Sequence, residues 1–251
     1  MKVSIAIPTF EFYGKGVKVL DDIFRTISNQ TLKDVQIVVS DHSINDDIQD
    51  YCNLNEYNLN IKYIRNENDR GDPASNTNNA IDNSDGEIIK IFQQDDFFYD
   101  TEALEKMYKA MTNSTKKWFV CGAIHTRDDG YSFFNPMIPR WDPLMISEEK
   151  HNFIGGVSVL SLKQEVKTRF DPNTKILLDV DFYYGTMLEY GMPILYQDIL
   201  IGNRCSNESL TGELSTLESR AEYDENNDMI YKQDLLDFEL SYLRKKYNLI
   251  K

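Results

Sequence analysis

Cysteine is scarce in this chain: Cys52, Cys121 and Cys205 lie far apart and are odd in number. None forms a CxxC pair, which argues against a structural zinc site, and free thiols fit a reducing, cytoplasmic setting. Histidine is equally sparse, and His42, His125 and His151 make no spacing motif, so each reads as structural. Basic residues are outnumbered, 27 against 41 acids, for a net charge of −14. That deficit argues against nucleic acid or anionic lipid as partner, because phosphate contact wants Lys and Arg. It does not forbid an anionic ligand bridged by a metal ion. No apolar run reaches the length that spans a bilayer. The run ahead of Glu11 is too short for a signal peptide. Internal repeats and low-complexity tracts are also missing.

What is present suits one large α/β domain: 251 residues, 41% hydrophobic and 12% aromatic. "VSIAIPTF" (3–10) reads as a buried strand whose ladder ends at Pro8. "VQIVVSD" (35–41) and, more weakly, "NIKYIRN" (60–66) follow as strands, and "EIIKIFQ" (87–93) is the strongest of all. Helical spacing appears at 17–30, at 72–86 with Pro73 early, and at 101–113 with Thr101 as the expected N-cap. Strand and helix thus alternate through the first 110 or so residues, the pattern of a parallel, doubly wound sheet. Beyond them, 117–125, 155–162 and 193–202 read as strands and 178–191 as a helix. The stretch 127–150 has loop composition. After a short "ENND" linker (225–228), 227–248 is amphipathic with basic residues in its last turn.

In such sheets ligands sit beyond the carboxyl ends of the strands. Three strands end in polar punctuation there: Pro8-Thr9, Asp41, and Asp95-Asp96. The last pair is the sharpest signal. Adjacent carboxylates at the end of a buried strand cost several kcal/mol unless a positive charge sits on them. They are either a solvated strand end or a cradle for a divalent cation.

At these residues the chain resembles family 2 glycosyltransferases with the GT-A fold. "VSIAIPTF", "VVSDHS", "GDPASNTNNAIDNSDGEIIKIFQQDD" and "RFDPNTKILLDVDFYYGTMLEYGMP" occur in the family's order over roughly residues 1–205. The resemblance implies a nucleotide-sugar donor, UDP-linked by preference, a Mn²⁺ or Mg²⁺ ion, and inverting transfer of a hexose to a hydroxyl acceptor. It implies that Pro8, Thr9 and Asp41 meet the base and ribose and that Gly71, Asn76, Gln94, Asp95 and Arg204 line the donor. It also implies that Asp95 and Asp96 carry the metal motif and Asp179 is the base. It divides the chain into a GT-A domain over 1–224, with donor half 1–114 and acceptor half 115–224, and a C-terminal helix over 225–251. The chain departs from the family's pattern at Gln93, where the metal motif begins with Asp, and at Leu178, which replaces a Glu. Asn76 stands where relatives have Arg, with Arg70 displaced nearby.

The residues bear other readings beside these. Asp41 could accept a uracil N3–H or simply close an Asx-turn. Asp179 and Asp181 could be a base and its neighbour, or acids favoured by a helix N-terminus. Trp141 could stack on a sugar or anchor the core. The C-terminal helix could pack on its own chain or form a homo-oligomer. The alternatives in function are a nucleotide-sugar-binding module without turnover and a sugar nucleotidyltransferase. The latter usually has a basic, Gly-rich loop after its first strand, where "FEFYGKG" offers only Lys15.

Overall fold

The structure, a computed structural model, describes residues 1–128, 130–146, 152–205 and 228–249. Four strands, β1 (Val3–Thr9), β2 (Val35–Asp41), β3 (Ile61–Arg65) and β4 (Ile88–Ile91), pair in parallel in the order β3-β2-β1-β4. Their Val- and Ile-rich runs are what a sheet covered on both faces requires. Helices α1 (Gly16–Ser28), α2 (Asp47–Leu54), α3 (Pro73–Asp82) and α4 (Ala103–Thr112) lie among them in sequence. Val19, Leu20, Ile23, Phe24 and Ile27 of α1 are all buried, each contributing about 1.5–3 kcal/mol as an upper bound. Asp72 caps α3 through the Ala74 and Ser75 amides, with Pro73 in its first turn.

The sheet continues without a break into the second half. Strand β8 (Leu160–Lys163) pairs antiparallel with both β4 and β6 (Trp118–Thr126). Strand β9 (Ile194–Arg204) runs parallel to β6, and β5 (Phe97–Phe98) closes antiparallel on β9. Helix α5 (Leu178–Tyr190) precedes β9, and a last helix, α6 (Asp228–Lys246), packs Leu240 and Leu243 into the same apolar cluster as the rest of the chain. The described part of the C-terminal helix therefore packs on its own chain.

Several expectations are corrected. Pro8 does not end β1: it pairs with Ser40 inside a strand that reaches Thr9. The ladder to β4 stops earlier, at Ala6 and Ile91, so proline's missing N–H costs nothing on that side. Thr101 is not the cap of α4. The N-cap is Glu102, which makes no side-chain capping bond, and Asp100 accepts the Glu102 amide in the turn ahead of the helix, at 2.8 Å. Residues 157–159 form a turn of 3₁₀ helix, and strand begins only at Leu160. The expected loop at 127–150 contains a short strand, β7 (Phe134–Met137), paired with β6. Helix α2 and strand β5 had no sequence signal strong enough to mark them. The "ENND" linker and His151 lie outside the described residues, Asp228 apart.

Gly86 sits where the chain turns into β4. A Cβ there would lie 2.4 Å from the Ser4 amide nitrogen and 2.7 Å from the Val3 carbonyl carbon, both backbone. At Gly156 a Cβ would meet nothing within 4 Å. Gly86→Ala is expected to lower the unfolding free energy by about 2–3 kcal/mol and Gly156→Ala by less than about 0.5 kcal/mol, read from urea titrations.

Candidate active site

The carboxyl ends of β1 and β2 are tied together by amides. Asn76, buried in α3, donates to the Thr9 carbonyl at 3.0 Å and accepts from the Ser40 hydroxyl at 2.6 Å. Asn66 donates to the ring of buried His42 and lies 3.4 Å from the Asn76 carbonyl oxygen. Burial pushes the His42 pKa down. Asp41 has no exposed surface. One of its oxygens accepts the Ser43 amide in an Asx-turn at 2.8 Å, and the other accepts the Tyr63 hydroxyl at 2.7 Å. Gly71, one residue before the cap of α3, is exposed and holds φ +86°, a conformation that disfavours any side chain. Arg70 is turned to Glu67 at 3.6 Å.

After β4 the backbone turns at once, the Asp96 amide donating to the Gln93 carbonyl. Gln94 faces the loop that follows β1. Its amide accepts from the Phe10 N–H at 3.0 Å and donates to the Phe10 carbonyl at 2.8 Å. Gln94 thus ties the turn after β4 to the loop after β1, and both it and Thr9 are buried.

Asp95 is half-buried and Asp96 buried. Burial first, then the neighbouring Asp96 charge, pushes the Asp95 carboxyl up to about 7. Asp96 is raised as well, by burial, against hydrogen bonds from Ser158, Asn203 and the Arg204 backbone. The Arg204 amide meets Asp96 at 3.3 Å, and its guanidinium meets the Asp95 carbonyl at 3.2 Å and Asp22 at 3.1 Å. Among the described residues, no Lys or Arg nitrogen lies within 4.0 Å of either carboxylate. No group of three or more acids, cysteines or histidines is assembled anywhere among them. The pair nonetheless fits a hard cation, which needs one or two protein carboxylates and takes its other ligands from phosphate and water. Asp95 is the accessible oxygen donor, and Asp96 is fixed beneath it.

Asp179 stands in the first turn of α5, half-buried. One carboxylate oxygen accepts the Asn152 side-chain amide at 2.6 Å and the other the Val180 backbone amide at 2.7 Å. Burial outweighs these and pushes the carboxyl up to about 6. Asp181, two residues on, faces the other way. It is ion-paired to Lys246 at 2.8 Å and accepts from the Tyr247 hydroxyl, which makes it an anchor for the C-terminal helix.

One short segment joins the two acidic centres. Asn152 holds Asp179, Tyr183 donates to the Gly155 and Gly156 carbonyls, and Ser158 bonds both the Gln93 amide and Asp96. Beneath Ser158 lies Lys90, wholly buried in β4, its ammonium on the Ser158 and Leu160 carbonyls and its pKa pushed down to about 8 by burial. Sequence reasoning missed Asn152, Ser158, Asn203 and Lys90. Only Lys90 left a signal, as a charge in the middle of an apolar strand. Trp141 is half-buried, its ring edge-on to Trp118 at 6.3 Å. The hairpin carrying β7 exposes Tyr131, Phe133 and Phe134, and Phe133 contacts Phe97 next to the acid pair.

The model for "Glycosyl transferase family 2" matches residues 4–169. A Campylobacter jejuni protein, GalNAc(5)-diNAcBac-PP-undecaprenol beta-1,3-glucosyltransferase, is 34% identical over 96 residues, which are 38% of this chain and 30% of that protein. The chain therefore spans under a third of that relative's length. Two solved structures share the fold at low identity. S. aureus TarS 1-349 in complex with UDP-GlcNAc matches with a TM-score of 0.64 at 14% identity, covering 98% of this chain and 73% of that one. The mannosyltransferase PcManGT from Pyrobaculum calidifontis, in complex with GDP-Man and Mn²⁺, matches with a TM-score of 0.58 at 16% identity, covering 88% and 61%. With the α/β sheet and its strand-end acids on one side and these likenesses on the other, the chain belongs to glycosyl transferase family 2 and has the GT-A fold.

Proposed function

We propose that this chain transfers a hexose with inversion from a nucleotide-diphosphate sugar, a UDP-sugar by preference, to a hydroxyl of an acceptor. The observation that carries the reading is the 152–158 segment, which joins a half-exposed carboxylate at Asp179 to the carboxylate pair at Asp95 and Asp96. A displacement at an anomeric carbon needs a base on the acceptor side and charge stabilisation on the leaving-group side. These two centres supply groups of both kinds. The TarS complex with UDP-GlcNAc and the PcManGT complex with GDP-Man and Mn²⁺ support a nucleotide-sugar donor. The name of the Campylobacter relative supports a glycan acceptor carried on a lipid diphosphate.

In this reading Thr9, Asn76 and Asp41 form the wall for base and ribose. A base contact to Asp41 requires the Tyr63 hydroxyl to give way, because both carboxylate oxygens already accept protein donors. Gln94 fixes the loop over the donor, and Gly71 lets backbone approach it closely. Asp95, supported by Asp96, would hold the metal. When bound, Mn²⁺ or Mg²⁺ supplies positive charge to the diphosphate oxygens as the sugar–oxygen bond breaks. Asp179 takes the acceptor hydroxyl's proton, and Asn152 keeps its carboxylate turned toward the cleft. The exposed Tyr131 and Phe133 offer flat apolar faces to acceptor sugars.

Two substitutions separate the roles. Asp95→Asn is expected to abolish the manganese-dependent part of UDP's effect on the melting temperature. Asp179→Asn is expected to keep that effect while slowing release of UDP from the donor about 10²–10⁴-fold. UDP binding with no turnover in the native chain would instead mean a binding module.

Asp179 also leaves a signature in stability. Its folded pKa, about 6, lies above the ordinary aspartate value of 3.8. Below pH 4 both states are protonated and nothing is lost. Between pH 4 and 6 the unfolded chain ionises first and stability falls, and above about 6 the loss is constant. Relative to the native chain, Asp179→Asn should therefore gain on the order of 1–3 kcal/mol on going from acid to pH 8, measured by urea unfolding at both pH values.

A further inference from the structure

Glu239 has no exposed surface, yet no Lys or Arg among the described residues pairs with it. A buried carboxylate needs other partners, and it has them in three backbone amides. Oε1 accepts from Lys175 at 2.7 Å, and Oε2 accepts from Ile176 at 3.1 Å and Leu177 at 2.8 Å. These are the residues just ahead of α5. The N-cap of that helix is Leu177, whose side chain can accept nothing. Glu239 thus pins, from α6, the three amides that lead into α5, a helix whose N-cap side chain makes no capping bond. Beyond the first turn a second tie repeats the arrangement. Lys246 bridges Asp181 and Asp171, Tyr247 donates to the Asp181 carboxylate and carbonyl, and Tyr242 donates to Asp171. Asp179 lies between the two ties.

We propose that Glu239 is a positioning residue for Asp179: from the C-terminal helix it fixes the backbone at 175–177, and with it the first turn of α5 and the direction of the Asp179 carboxylate. The proposal rests on the assignment of Asp179 as base. A purely structural tie would affect melting and amide exchange at 175–177 but neither kcat nor the way Asp179 titrates. Glu239 should also affect how Asp179 titrates, because its negative charge opposes ionisation there. Among the described residues, the other groups around Asp179 include Asn152, which is neutral, Tyr183 on α5, and Asp181, whose charge is met by Lys246.

The test compares the native chain with Glu239→Gln, Glu239→Asp and Asp179→Asn. Hydrolysis is followed against pH with Mn²⁺ and whichever of UDP-glucose, UDP-GlcNAc, UDP-galactose and GDP-mannose the native chain cleaves. Amide hydrogen exchange at 175–177 is followed in parallel. In Glu239→Gln, exchange at 175–177 should quicken, kcat should fall about tenfold with donor KM within about twofold, and the acidic limb of kcat should move to lower pH. Glu239→Asp keeps the charge and withdraws it by one methylene, so kcat should fall while the acidic limb stays. A folded Glu239→Gln with native kcat and acidic limb overturns the proposal, whatever its exchange at 175–177. Should that variant not fold, native kcat in Glu239→Asp overturns it. Native kcat in Asp179→Asn overturns the base assignment and this proposal with it, and quickened exchange in Glu239→Gln then leaves Glu239 a structural tie only.

Discussion

Two carboxyl groups from consecutive residues share a poorly hydrated corner at the end of β4, and much of the site is arranged around that conflict. The Asp96 charge raises the proton affinity of Asp95, and burial raises both. Among the described residues no Lys or Arg pairs with either carboxylate, and the nearby Arg204 charge offsets only part of the upward shift. The chain offers Asp96 neutral or backbone donors from Ser158, Asn203 and Arg204, and leaves Asp95 partly open. Such an arrangement costs stability unless a cation visits it, which is the behaviour of a binding site more than of a packing element.

The same corner explains why Ser158 matters. Its hydroxyl bonds Asp96 and the Gln93 amide, its carbonyl takes the Lys90 ammonium, and a few residues earlier in the same segment Asn152 holds Asp179. Extended chain advances about 3.3–3.6 Å per residue, so Asn152 and Ser158 can stand no more than about 25 Å apart. An uninterrupted strand would alternate its side chains across the sheet, whereas the turn of 3₁₀ helix at 157–159 lets the Ser158 hydroxyl and carbonyl serve different partners.

The donor-side half of the fold was legible because its strands are buried on both faces and announce themselves as runs of Val and Ile. The pairing of Asp95 with Asp96 and the position of Asp179 were legible because both sit at element ends, where polar residues stand out. Helix α2 and strands β5 and β7 were not, since two to eight residues of mixed polarity carry no decisive period. Asn152, Ser158 and Glu239 could not be read from sequence at all. An amide, a hydroxyl and a carboxylate gain their meaning only from partners that tertiary packing supplies, 62 residues away for the Glu239 bond to Leu177. Pro8 misled because a proline can close one side of a strand while the other side goes on pairing.

The basic residues around the cleft complete the argument for a charge brought in with the donor. Arg204 contacts Asp22 and the Asp95 carbonyl, and Arg70 faces Glu67. Arg65 is spread over Asp46 and the Ser43 and Asn45 carbonyls, and Lys90 is sealed beneath Ser158. Turning Arg204 or Lys90 away would strip buried carbonyls of their partner, about 1–3 kcal/mol for each group left unmet, whereas the exposed Arg70–Glu67 pair breaks at about 0–1 kcal/mol. A chain with a net charge of −14 has little field to spare for an anion of two phosphates. On the proposed function, excess acidity and a raised carboxylate pair would become consistent if a divalent cation entered between protein and diphosphate, since the cation would neutralise part of both charges.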